Sequence, residues 1–220
     1  MTERISSRVF HECEGVDDWR VLYGRAHAFF RADTFARGVD LVDAIGVLAD
    51  AANHHPDIDL RYRGLTVRLV THEVDGLSMR DVELARAISA VAKDLGIPAE
   101  PSAVQHVDLA IDALVRADIM PFWSAVLGYE IYGDQDVGDP QGRGPSIFFQ
   151  QMDAARPQRN RIHIDIAVPH EQAEARVAAA LAAGGRLVTD EYAPMWWVLA
   201  DAEGNEACVA TWVGRWWEDE

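Results

Sequence analysis

The 220-residue sequence is short of positive charge. It holds 20 lysines and arginines against 36 aspartates and glutamates, which gives a net charge of −16 and a pI of about 4.8. Nucleic-acid binding needs clustered lysine and arginine to neutralise phosphates, so this balance argues against a nucleic-acid partner. The same deficit argues against binding to anionic membrane surfaces.

Long apolar runs and cysteine are also scarce. No stretch is long enough to span a bilayer, and the first ten residues, MTERISSRVF, lack the apolar core of a signal peptide. The two cysteines, Cys13 and Cys208, do not form a metal-type pair. We therefore expect a cytoplasmic protein with reduced thiols. Because 49% of the residues are hydrophobic, the chain can still build a proper core.

Hydrophobic periodicity in the first half predicts the element order β-β-α-β-β-α, which is typical of an α+β domain with helices on one face of an antiparallel sheet. The first helix should bury the stripe Phe35, Val39, Val42, Ile45 and Leu48. The predicted elements are two short strands around Tyr23-Gly24, a helix over 34–52, a hairpin over 58–72 turning at Arg63-Gly64, and a helix over 78–95 with a Ser78–Asp81 capping box.

A segment with two prolines and no periodicity, IPAEPSAVQ at 97–105, separates the halves. We therefore predict one domain over 1–97 and another over 104–220. The second half follows a β-α-β-β-β order written twice, an inference from element order because the copies share little sequence. The first copy opens with HVDLAI and the second with RIHIDIAV.

Three histidines and several carboxylates gather within residues 52–81. Taken singly, His54 and His55 are explained as the polar end of a helix, and Asp81 as a helix cap. Zinc fits poorly, because adjacent histidines point in different directions and no cysteine lies at structural-zinc spacing. Taken together, the hairpin that follows can return His72 to the other two. Two imidazoles facing one substrate supply an acid and a base, as a dehydration requires.

The same stretch resembles the pterin-4a-carbinolamine dehydratase family. The family pattern is an acidic residue, three residues, His-His-Pro, an aromatic residue, a third histidine and a later aspartate. THEVDGL at 71–77 matches a further segment, and the resemblance covers roughly residues 19–96. The pattern is met without a gap by Asp50, His54, His55, Pro56, Tyr62, His72 and Asp81.

The resemblance implies dehydration of 4a-hydroxytetrahydropterin to quinonoid dihydropterin, a step of tetrahydropterin recycling, without a metal or redox cofactor. It implies that the catalytic residues are His54, His72 and His55. His54 and His72 would be the acid–base pair, with the two roles left open, and His55 would bind or polarise the pterin. The supporting or substrate-binding positions are Asp50, Asp81, Pro56 and Tyr62. Some relatives act instead as dimerisation cofactors, which leaves a non-enzymatic alternative. We expect a homodimer, since exposed sheet edges tend to be covered.

Residues 104–212 resemble the glyoxalase/bleomycin-resistance group, the vicinal-oxygen-chelate fold, through HVDLAI, FWSAVLGYE, RIHIDIAV and LADAEGNEACV. Metal-using members present four ligands, and His106 and His163 occupy two of those positions. Phe149 or Gln150 and Cys208 stand where glutamates are usual. Two neutral ligands suit a hard divalent ion poorly, so we expect no metal. A zinc site of His106, His163 and Cys208 in a glyoxalase-like metalloenzyme is the alternative.

Overall fold

The computed structural model describes residues 2–127, 129–142, 144–154, 162–182, 184–200 and 206–214. The chain divides into two compact units. One holds Met1–Val104 together with Trp212–Glu220, and the other holds Gln105–Thr211. Across the described ranges, every helix is too short or too polar to cross a membrane.

A four-stranded antiparallel sheet with the order β2-β3-β5-β4 forms the frame of the first unit. The predicted α+β order is confirmed, and three short elements, β1, α1 and β6, add to it. β1 and β6 pair with each other in a separate two-stranded ribbon. The elements are β1 Arg4–Ile5, α1 Ser7–Glu12, β2 Arg20–Leu22, β3 Arg25–Arg31, α2 Phe35–Ala52, β4 Asp57–Arg61, β5 Gly64–Leu69, a 3₁₀ turn His72–Val74, β6 Leu77–Ser78 and α3 Met79–Asp94.

The core of this unit lies between one face of the sheet and the helices. Strand residues at every second position point inward, where Ile45 of α2 and Ile88 of α3 meet them. Trp19 is wholly buried and donates its indole N–H to the Ser89 hydroxyl at 3.1 Å, so its polar atom is satisfied. The inward strand residues are Val21, Ala26, Ala28, Phe30, Leu65, Val67 and Leu69.

The two hairpin turns of the sheet use glycine differently. Tyr23 and Gly24 have φ of 47° and 70°, which fits the two-residue turn that matches strand twist. The second turn lies one residue earlier than predicted, at Tyr62-Arg63, and Gly64 already begins β5. Gly64 has φ of 149°, and a Cβ there would collide with a backbone oxygen of β3. This glycine is therefore needed for strand pairing.

The predicted buried stripe of α2 is wrong at its first two positions. Phe35 is 50% exposed and Val39 is also exposed. The buried face instead begins at Gly38 and continues through residues 41, 45 and 49. A Cβ at Gly38 would lie 2.6 Å from Leu60 Cδ1, so the helix and β4 approach each other at this glycine. Hydrophobic periodicity misses this contact because glycine carries no apolar side chain.

The segment that follows α3 packs on the first unit. Ile97 belongs to its core. Arg31 donates its backbone N–H to the Pro98 carbonyl at 2.9 Å, and Glu100 donates its own to the Phe29 carbonyl at 2.8 Å. Because β2 pairs only with residues 25–27 of β3, residues 98–100 occupy the edge of β3 that β2 leaves open.

An eight-stranded sheet with the order β12-β13-β14-β11-β7-β10-β9-β8 forms the second unit. The two first strands, β7 and β11, pair antiparallel at its centre, and each pairs in parallel with the last strand of its own copy. The doubled β-α-β-β-β order is thereby confirmed. The elements are β7 His106–Ala113, α4 Arg116–Leu127, β8 Glu130–Tyr132, β9 Asp136–Gly138, β10 Ile147–Gln151, β11 Ile162–Ala167, α5 His170–Ala182, β12 Arg186–Thr189, β13 Trp196–Ala200 and β14 Glu206–Ala210.

Acidic side chains lie on the sheet face opposite the α4 contact. Ile111 and Val137 pack with α4, so the alternation of the strands directs Asp108 and Asp136 to the other face. Partial burial and, next, the charge of Asp108 raise the pKa of Asp136 to about 6. Asp136 therefore binds its proton more tightly in the folded than in the unfolded chain.

This elevated pKa predicts a pH-dependent cost of the Asp136 charge. Between about pH 4 and pH 6 the folded state holds more protons than the unfolded state, so the free energy of unfolding falls as the pH rises through that window. Asp136→Asn should raise it by roughly 1 kcal/mol near pH 7.5, after allowance for solvent screening, and leave it unchanged near pH 4. Thermal unfolding of both proteins at the two pH values measures this.

Asp134→Asn is the matched control for this experiment. Asp134 lies two residues away in the same hairpin, its side chain is 85% exposed, and it pairs with Arg116 at 3.4 Å. Its charge is a smaller cause of the raised Asp136 pKa, after burial and Asp108, so its substitution should stabilise the protein clearly less than Asp136→Asn near pH 7.5. An Asp136→Asn protein no more stable than wild type at that pH would contradict the burial argument.

We also propose that the first unit folds without the second. Residues 1–97 should fold cooperatively, since they contain the core of that unit. Residues 1–104 should melt several degrees higher, because residues 98–100 add two backbone hydrogen bonds of about 1 kcal/mol each. Circular-dichroism melting of the two fragments tests both statements. Two unfolded fragments would refute independent folding, and equal melting temperatures would refute the role of residues 98–100.

Candidate active site

The end of α2 separates the two adjacent histidines. Asn53 adopts the left-handed conformation, with φ of 46° and ψ of 42°, and its N–H caps the helix on Ala49 and Asp50. The chain then turns toward β4. His54 faces inward with only 6% exposure and donates its backbone N–H to the Ala49 carbonyl at 3.0 Å. His55 remains exposed.

Asp81 meets His54 from the first turn of α3. The predicted Ser78–Asp81 capping box is confirmed, and Asp81 is wholly buried. One carboxylate oxygen, Oδ2, accepts the Ser78 backbone N–H at 2.7 Å and the Thr71 hydroxyl at 2.6 Å. The other, Oδ1, lies 2.8 Å from Nε2 of His54. A single carboxylate therefore joins the end of α2, the segment before the 3₁₀ turn and the start of α3.

This arrangement fixes the chemistry of His54. An ionised carboxylate can only accept, so Nε2 carries a hydrogen in the 2.8 Å contact. In a neutral imidazole Nδ1 is then the ring nitrogen without a hydrogen. The imidazole is oriented by Asp81 in the way that a catalytic histidine needs a partner to hold its tautomer.

His72 does not end the hairpin strand, contrary to the prediction. β5 stops at Leu69, and Thr71 donates its N–H to the Gly76 carbonyl at 2.8 Å, which closes a short loop. His72 opens the 3₁₀ turn inside that loop and is exposed. Its neighbour Thr71 donates its hydroxyl to Asp81 Oδ2 at 2.6 Å. One residue that flanks His72 therefore contacts the His54–Asp81 pair directly.

The other residues of the predicted site lie at the edge or away from it. His55 Nε2 is 3.0 Å from Asp50 Oδ1, and both side chains are exposed. Pro56 is partly buried and leads into β4. Tyr62 is 75% exposed and follows the far end of β4, six positions after Pro56, which corresponds to about 20 Å of extended chain. Within one chain, Tyr62 does not join the histidines.

An open groove of about 480 Å³ borders this cluster. It is lined by Thr2 and Ile5 from the N-terminal segment and by Glu73, Ser78 and Arg80. The Thr2 hydroxyl donates to Glu73 Oε2 at 2.7 Å, and this bond, followed by the charge of Arg80, holds the pKa of Glu73 below its usual value. The sequence pattern singled out neither Thr2 nor Arg80.

The predicted metal ligands of the second unit are engaged with carboxylates. His106 Nε2 lies 3.0 Å from Asp108 Oδ1, and His163 Nε2 lies 3.3 Å from Glu206 Oε2. Sequence analysis missed Glu206, which lies two residues before Cys208 on β14. No three histidine, cysteine or acidic side chains are grouped to hold a metal in the ranges that the structure covers. The alternative zinc set of His106, His163 and Cys208 therefore does not fit; residues 201–205 and 155–161 lie outside those ranges.

Comparisons with known proteins agree with this division of the chain. The family model for pterin 4 alpha carbinolamine dehydratase matches residues 3–91, and the model for a glyoxalase-like domain matches residues 108–210. A Mycobacterium leprae protein provisionally named pterin-4-alpha-carbinolamine dehydratase is 38% identical over 79 residues, 36% of this chain and 84% of that protein. A Mycobacterium tuberculosis protein with the same provisional name is 34% identical over 91 residues, 41% of this chain and 94% of that protein.

Two solved structures are similar at low identity. A transcriptional coactivator/pterin dehydratase from Brucella melitensis is 22% identical with a TM-score of 0.39, over 41% of this chain and 99% of its own. A glyoxalase/bleomycin resistance protein/dioxygenase superfamily member from Vibrio splendidus is 13% identical with a TM-score of 0.34, over 49% of this chain and 99% of its own. The sequence relatives match most of their own length to the first unit. The chain therefore belongs to the pterin-4a-carbinolamine dehydratase family and carries a glyoxalase-like domain after the dehydratase-like one.

Proposed function

We propose that the chain dehydrates 4a-hydroxytetrahydropterin to quinonoid dihydropterin in its first unit. In this reaction N5 loses its proton, the bond between C4a and the hydroxyl oxygen breaks, and a C4a–N5 double bond forms as water leaves. Nothing is oxidised or reduced. The observation that supports the proposal best is the buried Asp81 carboxylate, which contacts His54 with one oxygen and the neighbour of His72 with the other.

His54 is the proposed base of this reaction. Its Nε2–H is held by Asp81, so Nδ1 can accept the N5 proton and the positive charge that results is stabilised by the adjacent carboxylate. Because both groups are buried, this attraction is screened less than it would be at the surface. Ser78 and Thr71 donate hydrogen bonds to Oδ2 and keep the carboxylate in place, while Oδ1 accepts the hydrogen bond from the His54 imidazolium.

His72 is the proposed acid. It is exposed on the 3₁₀ turn, so it can recover its proton from water after delivering one to the departing hydroxyl. His55, held by Asp50 at the edge of the site, is proposed to bind the pterin, with Pro56 beside it. Tyr62 is left out of the proposed chemistry, since it lies at the other end of β4.

Alanine substitution of either proposed catalytic histidine should abolish most of the rate acceleration. His54→Ala and His72→Ala should each lower kcat by about 10²–10⁴, the usual contribution of a positioned acid or base. The double variant should lose less than the product of the two effects, because the groups act as a unit. Stopped-flow dehydration of a synthetic carbinolamine measures these rates across pH.

His170→Ala is the matched control for these variants. His170 begins α5 in the second unit, where its Nδ1 lies 3.1 Å from Glu171, and its substitution should leave kcat unchanged. Wild-type protein that does not accelerate the reaction over buffer would refute the enzymatic function and favour the non-enzymatic dimerisation role. Full activity in both His54→Ala and His72→Ala would refute the proposed acid–base pair.

Asp81→Asn separates the electrostatic role of Asp81 from its role as a helix cap. An amide has one acceptor oxygen, so it cannot serve both His54 and the donors of Ser78 and Thr71. We expect kcat to fall by about 10²-fold or more and the free energy of unfolding to fall by roughly 1–3 kcal/mol, the cost of a buried group left without its partner.

The control is a cap that touches no histidine. The Thr34 side chain caps α2 by accepting the Arg37 N–H, and Thr34→Ala should lower stability by about 1 kcal/mol with kcat unchanged. Melting temperature and kcat are measured for both variants. If Asp81→Asn keeps wild-type kcat while losing stability, Asp81 is only a cap and the proposed base has no partner.

A further inference from the structure

We propose that Arg80 is a positioning residue that holds His54 and the His72 segment in register. This inference rests on the dehydratase function proposed above and assigns Arg80 no contact with the substrate. Arg80 is the second residue of α3 and directly precedes Asp81. Its guanidinium reaches two segments that lie far apart in sequence, one on each side of the site.

The first contact fixes the backbone of His54. Arg80 Nη2 donates to the Asn53 carbonyl oxygen at 2.5 Å. That carbonyl belongs to the peptide unit whose N–H is the His54 amide, and this N–H donates to the Ala49 carbonyl at 3.0 Å. Both polar ends of one peptide unit are therefore held. Asn53 has a left-handed backbone, which asparagine adopts more readily than most residues, and the two bonds hold the chain in this turn.

The second contact fixes the residue after His72. Arg80 Nη1 lies 3.5 Å from Glu73 Oε1, while the Thr2 hydroxyl binds the other oxygen of the same carboxylate. Glu73 is held from two sides, and His72 precedes it at the start of the 3₁₀ turn. Loss of the Arg80 side chain would therefore remove one of the two side-chain contacts that hold Glu73, the residue next to the proposed acid.

Helix α3 thus supports the site through two consecutive residues. Asp81 holds the imidazole of His54, and Arg80 holds the peptide unit from which that imidazole projects. A guanidinium suits this task because its planar fork presents separate N–H donors in fixed directions, whereas a lysine ammonium is a single point of charge. The Asn53 carbonyl and the Glu73 carboxylate lie in different directions, so both can be bound at once only by a side chain with separate donors.

Arg80→Gln and Arg80→Lys test the inference in the full-length protein. Positioning errors of about 1 Å can lower a rate by about 10²-fold, so we expect kcat of Arg80→Gln to fall by roughly 10–100-fold while KM changes less than about threefold. Arg80→Lys should recover only part of the loss, since it replaces one contact and not both. The imidazole NMR signals of His54 and His72 should both shift in Arg80→Gln.

Arg86→Gln is the matched control. Arg86 lies on the same helix and also donates to a backbone carbonyl, that of Glu14, at 2.6 Å, but it touches neither histidine segment. It should lose a similar contact while keeping wild-type kcat, KM and imidazole signals. Melting temperatures of all variants identify any that fail to fold, and Arg80→Lys then decides in place of Arg80→Gln.

The two proposals fail in different ways. If the wild-type protein does not dehydrate the carbinolamine, the proposed function is wrong, and the NMR signals alone decide whether Arg80 positions the histidines. A folded Arg80 variant with kcat within twofold of wild type, or with unmoved His54 and His72 signals, overturns the inference. A fall in kcat accompanied by shifts of both imidazoles, absent from Arg86→Gln, supports it.

Discussion

A wholly buried carboxylate, Asp81, is the group on which the arrangement of the first unit's site depends. An isolated buried charge is very costly, so Asp81 must be surrounded by donors to remain ionised. It obtains them from the backbone of its own helix, from Thr71 and from His54. Each of these donors belongs to a different segment. The hydrogen bonds to one carboxylate therefore bring the three segments together.

The histidine that contacts Asp81 is fixed, whereas the neighbouring His55 is exposed. His54 is buried and bonded through both its side chain and its backbone, which gives it one orientation. His55 and Asp50 form an exposed pair, and such pairs are weak and easily exchanged for water. A rigid inner imidazole beside adaptable outer groups suits a reaction in which one proton transfer must be well aligned while the substrate enters and leaves.

The second unit shows the opposite use of polar groups. Its sheet carries His106 and His163, the two histidines for which sequence analysis considered metal binding, and each imidazole is engaged by a carboxylate of the same sheet. Asp108 and Asp136 add like charges on one face, and the pKa of Asp136 is raised first by burial and then by the charge of Asp108.

The sequence by itself determined the features that depend on neighbours along the chain. The Ser78–Asp81 capping box, the Tyr23-Gly24 turn and the doubled strand order of the second half are all written in residues a few positions apart, and all are present. The family pattern also named His54, His55, His72 and Asp81 without any knowledge of contacts. What it could not supply was the difference between Tyr62, which lies at the far end of a strand, and His54, which lies against Asp81.

Tertiary structure decided those features that depend on which segments meet. His54 and Asp81 are 27 positions apart with a whole hairpin between them, so their contact follows only after the sheet has formed. The buried face of α2 includes Gly38, because this residue has no side chain and β4 can therefore approach the helix closely. The Arg80 and Glu206 contacts likewise join residues that no local pattern relates. Local sequence patterns encode short-range hydrogen bonds and periodicity, whereas the partners of a buried charge are chosen by packing, because only the folded chain excludes water and makes an unsatisfied charge costly.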